Sequence, residues 1–132
     1  FPGGTETLLV VDDEEALRTL LAKALGWKGY KVNTAATGLE AIELLGDTTQ
    51  PLDAVLLDLN MPGATGLEVL KFVRIARPNL KVMILSGHLT PSARIEFEQL
   101  GQREFVQKPY KLEDIGRRLR ELIDSRSTVA HR

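Results

Sequence analysis

Five polar residues of this 132-residue chain have the types and positions that phosphoryl chemistry needs. They lie at or near the ends of short runs that have the character of β-strands, and they are Asp12, Asp13, Asp58, Ser86 and Lys108. Carboxylates are ligands that Mg2+ prefers, and an aspartate can also act as a nucleophile toward phosphorus. A hydroxyl and an ammonium group can neutralise and position phosphoryl oxygens. The set therefore predicts Mg2+-dependent phosphoryl transfer to a carboxylate.

Each residue alone also has an ordinary structural interpretation. The acids before the helix predicted near Glu14 are typical N-cap residues. Asp58 and Asn60 suit a turn before Pro62, while the serine and the lysine suit a loop start and a solvated turn. Independent turn residues, however, give no reason for only acids to follow two central strands, with a hydroxyl and an amine opposite them. The combination favours a single site.

The apolar pattern indicates the elements that position these residues. Unbroken runs at 8–11, 54–57 and 82–85 are typical of strands buried on both faces of a parallel sheet, and 31–36 and 104–107 are weaker strand candidates nearer its edges. Five strands alternating with five helices predict an α/β fold with a doubly wound parallel sheet. Ligands of such sheets bind outside the carboxyl ends of the strands, where the polar residues fall.

Apolar residues at spacings of three and four mark the inward faces of the helices. The first stripe comprises Leu17, Leu20, Leu21, Ala24 and Leu25. Thr37 and Thr65 are each followed three residues later by Glu, as in a capping box, and Thr90 precedes a first-turn proline.

Charge and composition exclude several classes of function. The formal net charge of -1 offers no broad basic surface, so we expect no nucleic-acid or membrane contact by this domain. There are no cysteines, which excludes disulfides and thiolate sites and fits a cytoplasmic location. No apolar run reaches the length of a membrane span. We expect a linker at 1–6, one domain at 7–124 and a polar tail or linker at 125–132.

Four motifs, in this order, resemble those of two-component response regulator receiver domains. The motifs are Val10-Val11-Asp12-Asp13-Glu14, Leu56-Leu57-Asp58-Leu59-Asn60-Met61-Pro62-Gly63, Leu85-Ser86-Gly87 and Val106-Gln107-Lys108-Pro109. The resemblance runs from about residue 7 to about residue 123. It implies a flavodoxin-like (βα)5 fold with a five-stranded parallel sheet in the order 2-1-3-4-5.

The resemblance also implies a role for each acid. Asp58 accepts a phosphoryl group from a phosphohistidine, and Asp13 binds Mg2+ directly. Asp12 holds the metal through water, and Asn60 contributes its backbone carbonyl. The partners implied are a sensor histidine kinase or phosphotransfer domain, and an output domain or downstream protein. The module itself is no enzyme beyond self-catalysed phosphotransfer and slow autodephosphorylation, and it is a monomer or weak dimer.

The remaining implied roles concern contacts to the phosphoryl group and a switch. Ser86 and Lys108 contact the phosphoryl group, and a cis bond before Pro109 aims the lysine. Ser86 stands where threonine is commoner, and Phe105 occupies the aromatic switch position, where tyrosine is common. Phosphorylation draws Ser86 inward, Phe105 rotates into the vacated space, and the surface of the fourth helix, fifth strand and fifth helix changes. His88 is either a loop residue or a residue that tunes the lifetime of the acyl phosphate.

Three alternatives are weighed against this interpretation. An aspartyl-nucleophile phosphatase needs a second acid two residues after the nucleophile, where this chain has Asn60. A phosphate-independent interaction module would normally lack Asp58, Asp13 or Lys108, and all three are present. A nucleotide-binding domain needs a glycine-rich strand-to-helix turn, which is missing.

The Leu-Ser-Gly-His sequence at 85–88 is also similar to that of receivers at the ends of hybrid sensor kinases.

Overall fold

Five short strands gather the apolar runs of the sequence into one parallel sheet. The computed structural model describes residues 1–59 and 65–125. The strands are β1 (Thr7–Val11), β2 (Lys31–Ala35), β3 (Ala54–Asp58), β4 (Lys81–Ser86) and β5 (Phe105–Gln107). They pair in the order β2-β1-β3-β4-β5, with every pair parallel. The predicted flavodoxin-like order is confirmed, and the two weaker strand candidates are the edge strands.

Five helices cover both faces of this sheet. They are α1 (Glu15–Trp27), α2 (Gly38–Gly46), α3 (Gly66–Ala76), α4 (Pro91–Gln99) and α5 (Leu112–Asp124). Because side chains alternate along a strand, Leu9 and Val11 pack with α2, α3 and α4, whereas Leu8 and Val10 pack with α1 and α5. Two apolar layers therefore hold the strands, which explains why the central runs are apolar at every position.

Threonine caps fix where three helices begin. Thr65 and Glu68 form a complete capping box at α3, with each side chain accepting from the other residue's backbone N–H. At α2, Thr37 Oγ1 accepts from the Glu40 N–H, but the Glu40 carboxylate accepts from the N–H one residue earlier than a capping box requires. Thr90 Oγ1 accepts from the Ala93 N–H at α4. Two caps thus follow the expected pattern fully and one in part.

The prediction that Leu20 faces the core is wrong. Leu21 and Leu25 of α1 are buried, while Leu20 is 53% exposed. A stripe at spacings of three and four spans more than 100° of a helix, and only its centre meets the sheet here. Among the described residues, no helix combines the length and apolar character needed to cross a membrane.

A lysine from the sheet binds the end of the last helix. Lys81 Nζ, at the start of β4, donates to the Leu122 carbonyl at 3.0 Å and to the Ser125 hydroxyl at 2.9 Å, and it also contacts the Ser125 carbonyl. The last carbonyls of a helix lack partners within the helix and carry partial negative charge, so an ammonium group there is favourable. The C-terminal end of α5 is therefore tied to β4.

Residues 1–6, for which a linker is expected, lie against the domain. The Gly4 N–H donates to the Lys28 carbonyl at 3.1 Å, and the Phe1 ring packs on the backbone of α5 at Gly116. Arg120 of α5 donates to both carboxylate oxygens of Glu6, at 2.9 and 2.6 Å. These bonds hold the pKa of the Glu6 carboxyl at about 2, below its ordinary value of 4.5.

Replacing Glu6 by glutamine should destabilise the protein in a pH-dependent way. Because the folded pKa is depressed, the carboxylate contributes stability above about 4.5, and that contribution is lost as the pH falls toward about 2. Glu6→Gln should lower the free energy of unfolding by about 1 kcal/mol at pH 7, since the pair is partly solvated. Denaturant unfolding at a series of pH values from 7 to 3 should show that the difference in free energy of unfolding between wild type and Glu6→Gln becomes smaller as the pH falls. Glu121→Gln, on the same helix, is the control, and a pH-independent gap for Glu6→Gln would contradict the assignment.

Candidate functional site

The sheet register brings three carboxylates together. Val11 pairs with Leu57 across β1 and β3, so Asp12 and Asp58 leave neighbouring strands at the same level. Carboxylate oxygens of Asp12, Asp13 and Asp58 all lie within 4.8 Å of one another. Asp12 is 1% exposed and Asp58 3% exposed, whereas Asp13 faces solvent. We call these three residues the acidic cluster.

Asp12 divides its two carboxylate oxygens between the turn and the cluster. Its Oδ1 accepts from the Glu14 N–H at 2.9 Å, which shapes the turn into α1. Its Oδ2 is buried and accepts no hydrogen bond from the residues that the structure describes. The N-cap of α1 is Glu14, so the capping interpretation of Asp12 is wrong: one of its oxygens shapes the turn before the helix, and the other faces the cluster.

Lys108 brings an ammonium group to the acidic cluster. The Lys108 N–H donates to the Ser86 carbonyl at 2.7 Å, which extends the pairing of β4 and β5 by one residue. Its Nζ lies 3.3 Å from Asp58 Oδ1 and 3.5 Å from Asp12 Oδ2. The peptide bond before Pro109 is cis, which confirms the prediction.

The charges at this edge do not balance. Burial alone would lower the pKa of Lys108, but the carboxylates of Asp58 and Asp12 outweigh it, so the pKa is raised and the side chain stays protonated. Three carboxylates and one ammonium leave a local excess of negative charge. Together with the buried Oδ2 of Asp12, this donor set fits a hard divalent cation that takes oxygen ligands and keeps several waters.

Ser86 ends β4 beside the cluster. Its strand neighbour Leu85 pairs with Asp58, so the serine lies one residue beyond that pair. The Ser86 side chain is buried, and its Oγ accepts from the His88 N–H at 3.1 Å. His88 itself is exposed. Its backbone thus shapes the loop, and a role for its imidazole stays a prediction.

Comparison with known proteins identifies the family. Residues 8–120 match the family described as the response regulator receiver domain. The chain belongs to this family. Among its relatives, the response regulator MprA of Mycobacterium sp. (strain KMS) is 35% identical over 116 residues, which cover 88% of this chain and 50% of the relative. The same protein from Mycolicibacterium vanbaalenii is 36% identical over an equal span. The chain therefore spans about half the length of the curated relatives it matches.

Solved structures agree with this family. The chemotaxis protein CheY4 of Vibrio cholerae is 28% identical, with a TM-score of 0.82 over 90% of this chain and 99% of that one. A CheY-like receiver domain protein from Methanospirillum hungatei shares the fold at 24% identity, with a TM-score of 0.87 over 92% of this chain and 95% of that one. The fold and the family of this receiver domain are thus established by independent comparisons.

Phe105, for which a switch role is predicted, has two neighbours on α4. It is half-buried, and its ring meets that of Phe97 edge to face, with centroids 6.2 Å apart. The guanidinium carbon of Arg94 lies 4.4 Å from the Phe105 centroid, a cation–π contact. The sequence analysis did not single out Arg94, because nothing local relates it to an aromatic ring eleven residues later.

Tyr110 is a second residue that the sequence analysis missed. It lies two residues after Lys108, its ring packs against the apolar layer formed with α1 and α5, and its hydroxyl oxygen is buried. A tyrosine just beyond the lysine motif was the available signal. Asn60, the remaining predicted metal ligand, lies outside the described residues, so the structure brings together Asp12, Asp13, Asp58 and Lys108 of the predicted set.

Proposed function

We propose that this receiver domain accepts a phosphoryl group on Asp58 from a phosphohistidine of a sensor kinase or phosphotransfer domain. The observation that supports this most is the position of Asp58. Its carboxylate lies at the carboxyl edge of the central strand, almost fully buried, with Lys108 Nζ at 3.3 Å and two further carboxylates beside it. An ammonium group that can neutralise phosphoryl oxygens, and carboxylates that can hold a metal ion, are thus gathered around a potential nucleophile.

The transfer step follows from this arrangement. One carboxylate oxygen of Asp58 forms a bond to phosphorus, the bond from phosphorus to the donor's imidazole nitrogen breaks, and its electron pair stays on the imidazole. Lys108 neutralises developing charge on the phosphoryl oxygens, and the Ser86 hydroxyl donates a hydrogen bond to one of them. Two residues after Asp58, where an aspartyl-nucleophile phosphatase has its general acid, this chain has Asn60. The domain is therefore a signalling module whose acyl phosphate is lost by slow hydrolysis.

Mg2+ is the cation that this proposal places at the acidic cluster. Asp13 and Asp58 would bind it directly, Asp12 through water, and Asn60 by its backbone carbonyl. When bound, the ion supplies positive charge against the phosphoryl oxygens. The cluster's oxygen ligands and its excess negative charge support this choice.

The output of the proposed function is a change at the surface of α4, β5 and α5. On phosphorylation, Ser86 moves toward the phosphoryl group and Phe105 turns inward, away from its contact with the exposed Arg94. If the Phe105 ring already visits the inward conformation before phosphorylation, phosphorylation raises the population of that conformation. This surface would signal to an output domain or a downstream protein, in a cytoplasmic monomer or weak dimer.

Replacement of Asp58 by asparagine should abolish phosphorylation without unfolding the protein. The change is nearly isosteric and removes only the nucleophilic oxygen. Wild type incubated with phosphoramidate and Mg2+ should gain the mass of one phosphoryl group, with a base-labile, acid-stable bond, and Asp58→Asn should gain none. Asp53→Asn, at the opposite end of the same strand, should be labelled like wild type. Full labelling of Asp58→Asn would place the acceptor elsewhere.

Mg2+ should raise the melting temperature of wild type through Asp13. A ligand that binds only the folded state adds about 1.4 kcal/mol when present at roughly ten times its Kd. Asp13→Ala should remove this gain, and it should stabilise the metal-free protein by relieving repulsion in the acidic cluster. Thermal melting with and without Mg2+ measures both effects, and Asp53→Ala should keep the gain. An equal Mg2+ shift in wild type and Asp13→Ala would refute this metal site.

The switch should depend on the Phe105 ring. Phosphorylation of wild type should change amide hydrogen exchange in α4, β5 and α5, and Phe105→Ala should lose most of that change while Asp58 is still labelled. Phe72→Ala, which removes a partly buried ring from α3, should keep it. If Phe105→Ala responds as wild type does, the signal does not pass through this ring.

A further inference from the structure

Two buried oxygen atoms at the carboxyl edge accept no hydrogen bond from the described residues. They are Asp12 Oδ2 and the Tyr110 hydroxyl. A third such atom, Glu104 Oε1, has a close ionic partner in the Arg118 guanidinium at 2.6 Å, whereas Lys108 Nζ lies 3.5 Å from Asp12 Oδ2, which is longer than a charged hydrogen bond. Leaving a buried polar atom without a hydrogen bond costs free energy, so buried oxygens of this kind usually have a partner in the functional state.

The Tyr110 hydroxyl lies within the electrostatic field of the acidic cluster. Burial raises its pKa, Lys108 opposes that rise, and the carboxylates of Asp12, Asp58 and Glu14 add to it. The phenol is therefore neutral at physiological pH, and its oxygen can accept a hydrogen bond. Its ring is fixed by packing against the apolar layer of α1 and α5, so the oxygen has a defined position.

The chemistry of a hydrated cation matches these two oxygens. Mg2+ gives up its waters reluctantly and usually keeps several of them in a protein site. A water bound to a cation turns its lone pair to the metal and its protons outward, so it needs hydrogen-bond acceptors. Asp12 Oδ2 and the Tyr110 oxygen are buried acceptors of this kind.

We propose that Tyr110 is a positioning residue of the cation site, and that its hydroxyl oxygen accepts a hydrogen bond from a water of the divalent cation held by the acidic cluster. The inference rests on the proposed function, since it needs the cation at that cluster. It adds a residue beyond the carboxylates that bind the ion, and outer groups of this type commonly tune metal affinity. A tyrosine that served only to fill space would contribute its ring alone.

The test is Mg2+ binding by isothermal titration calorimetry, with thermal melting of the metal-free protein. Tyr110→Phe keeps the ring and removes the hydroxyl. It should raise the Mg2+ Kd about fivefold, the effect of losing one hydrogen bond of typical net strength. Its metal-free melting temperature should equal or exceed that of wild type, because a buried oxygen without a hydrogen bond is gone. Tyr30→Phe makes the same change at a buried tyrosine whose hydroxyl contacts Arg120, and its Kd should match wild type.

The outcomes separate this inference from the proposed function. An unchanged Kd in Tyr110→Phe, with normal binding by wild type that Asp13→Ala abolishes, overturns the role of Tyr110 alone. A lower metal-free melting temperature with an unchanged Kd assigns Tyr110 a purely structural role and also overturns it. Wild-type binding that is absent, or that Asp13→Ala leaves intact, overturns the cation site together with the inference. A raised Kd confined to Tyr110→Phe supports it.

Discussion

Two buried carboxylates share one lysine in this domain, and the arrangement of the carboxyl edge depends on that contact. Asp12 and Asp58 are held side by side by the pairing of β1 and β3, so neither can move away from the other without breaking the sheet. Lys108 reaches both at 3.3 and 3.5 Å. Burying charges is favourable only when opposite charge and hydrogen bonds compensate them, and one ammonium does not compensate three carboxylates. The site is therefore built to gain from a further cation.

The apolar core confines the repulsion among these carboxylates to the carboxyl edge of the sheet. Both faces of the central strands are covered by apolar side chains, one layer from α2, α3 and α4 and the other from α1 and α5. Such interiors are close-packed and deform little, so the strand ends act as fixed points. Asp12, Asp58 and Ser86 each follow directly the last apolar residue of β1, β3 and β4. The protein thus combines a rigid apolar core with an excess of negative charge at the carboxyl edge of its sheet.

Most of the fold could be predicted from local sequence patterns, because the strands are short unbroken apolar runs and the helix starts carry threonine caps. The strand order needed the family resemblance, since periodicity does not say which strands are neighbours. Leu20 was misplaced because an apolar stripe is wider than the strip of helix that touches the sheet. The contact of Glu6 with Arg120 joins residues 114 positions apart, and no local pattern encodes it.

The candidate site was predictable in its main residues for a physical reason. Parallel strands end at one edge, so acids at strand ends must meet, and Asp12, Asp13, Asp58 and Lys108 do meet. Tyr110 and Arg94 were missed because each matters through packing. One presents a buried oxygen on a ring fixed by neighbouring helices, and the other covers a ring from the next element. Their contacts follow from three-dimensional proximity, and only Tyr110, which lies just after the lysine motif, offered a signal along the chain.

β4 connects the acidic cluster at one end of the domain to the end of α5 at the other. At its carboxyl end stands Ser86, beside the acidic cluster, and at its amino end stands Lys81, bound to the last carbonyls of α5. Six residues at about 3.3 Å each make a rod of roughly 20 Å with no loop along it. β3 pairs with this strand from Lys81 to Leu85 and β5 from Ile84 to Ser86, so its carboxyl half is held on both sides. The two ends of the domain are therefore joined by one stiff element, and the last helix is anchored at the far end of the strand that carries Ser86.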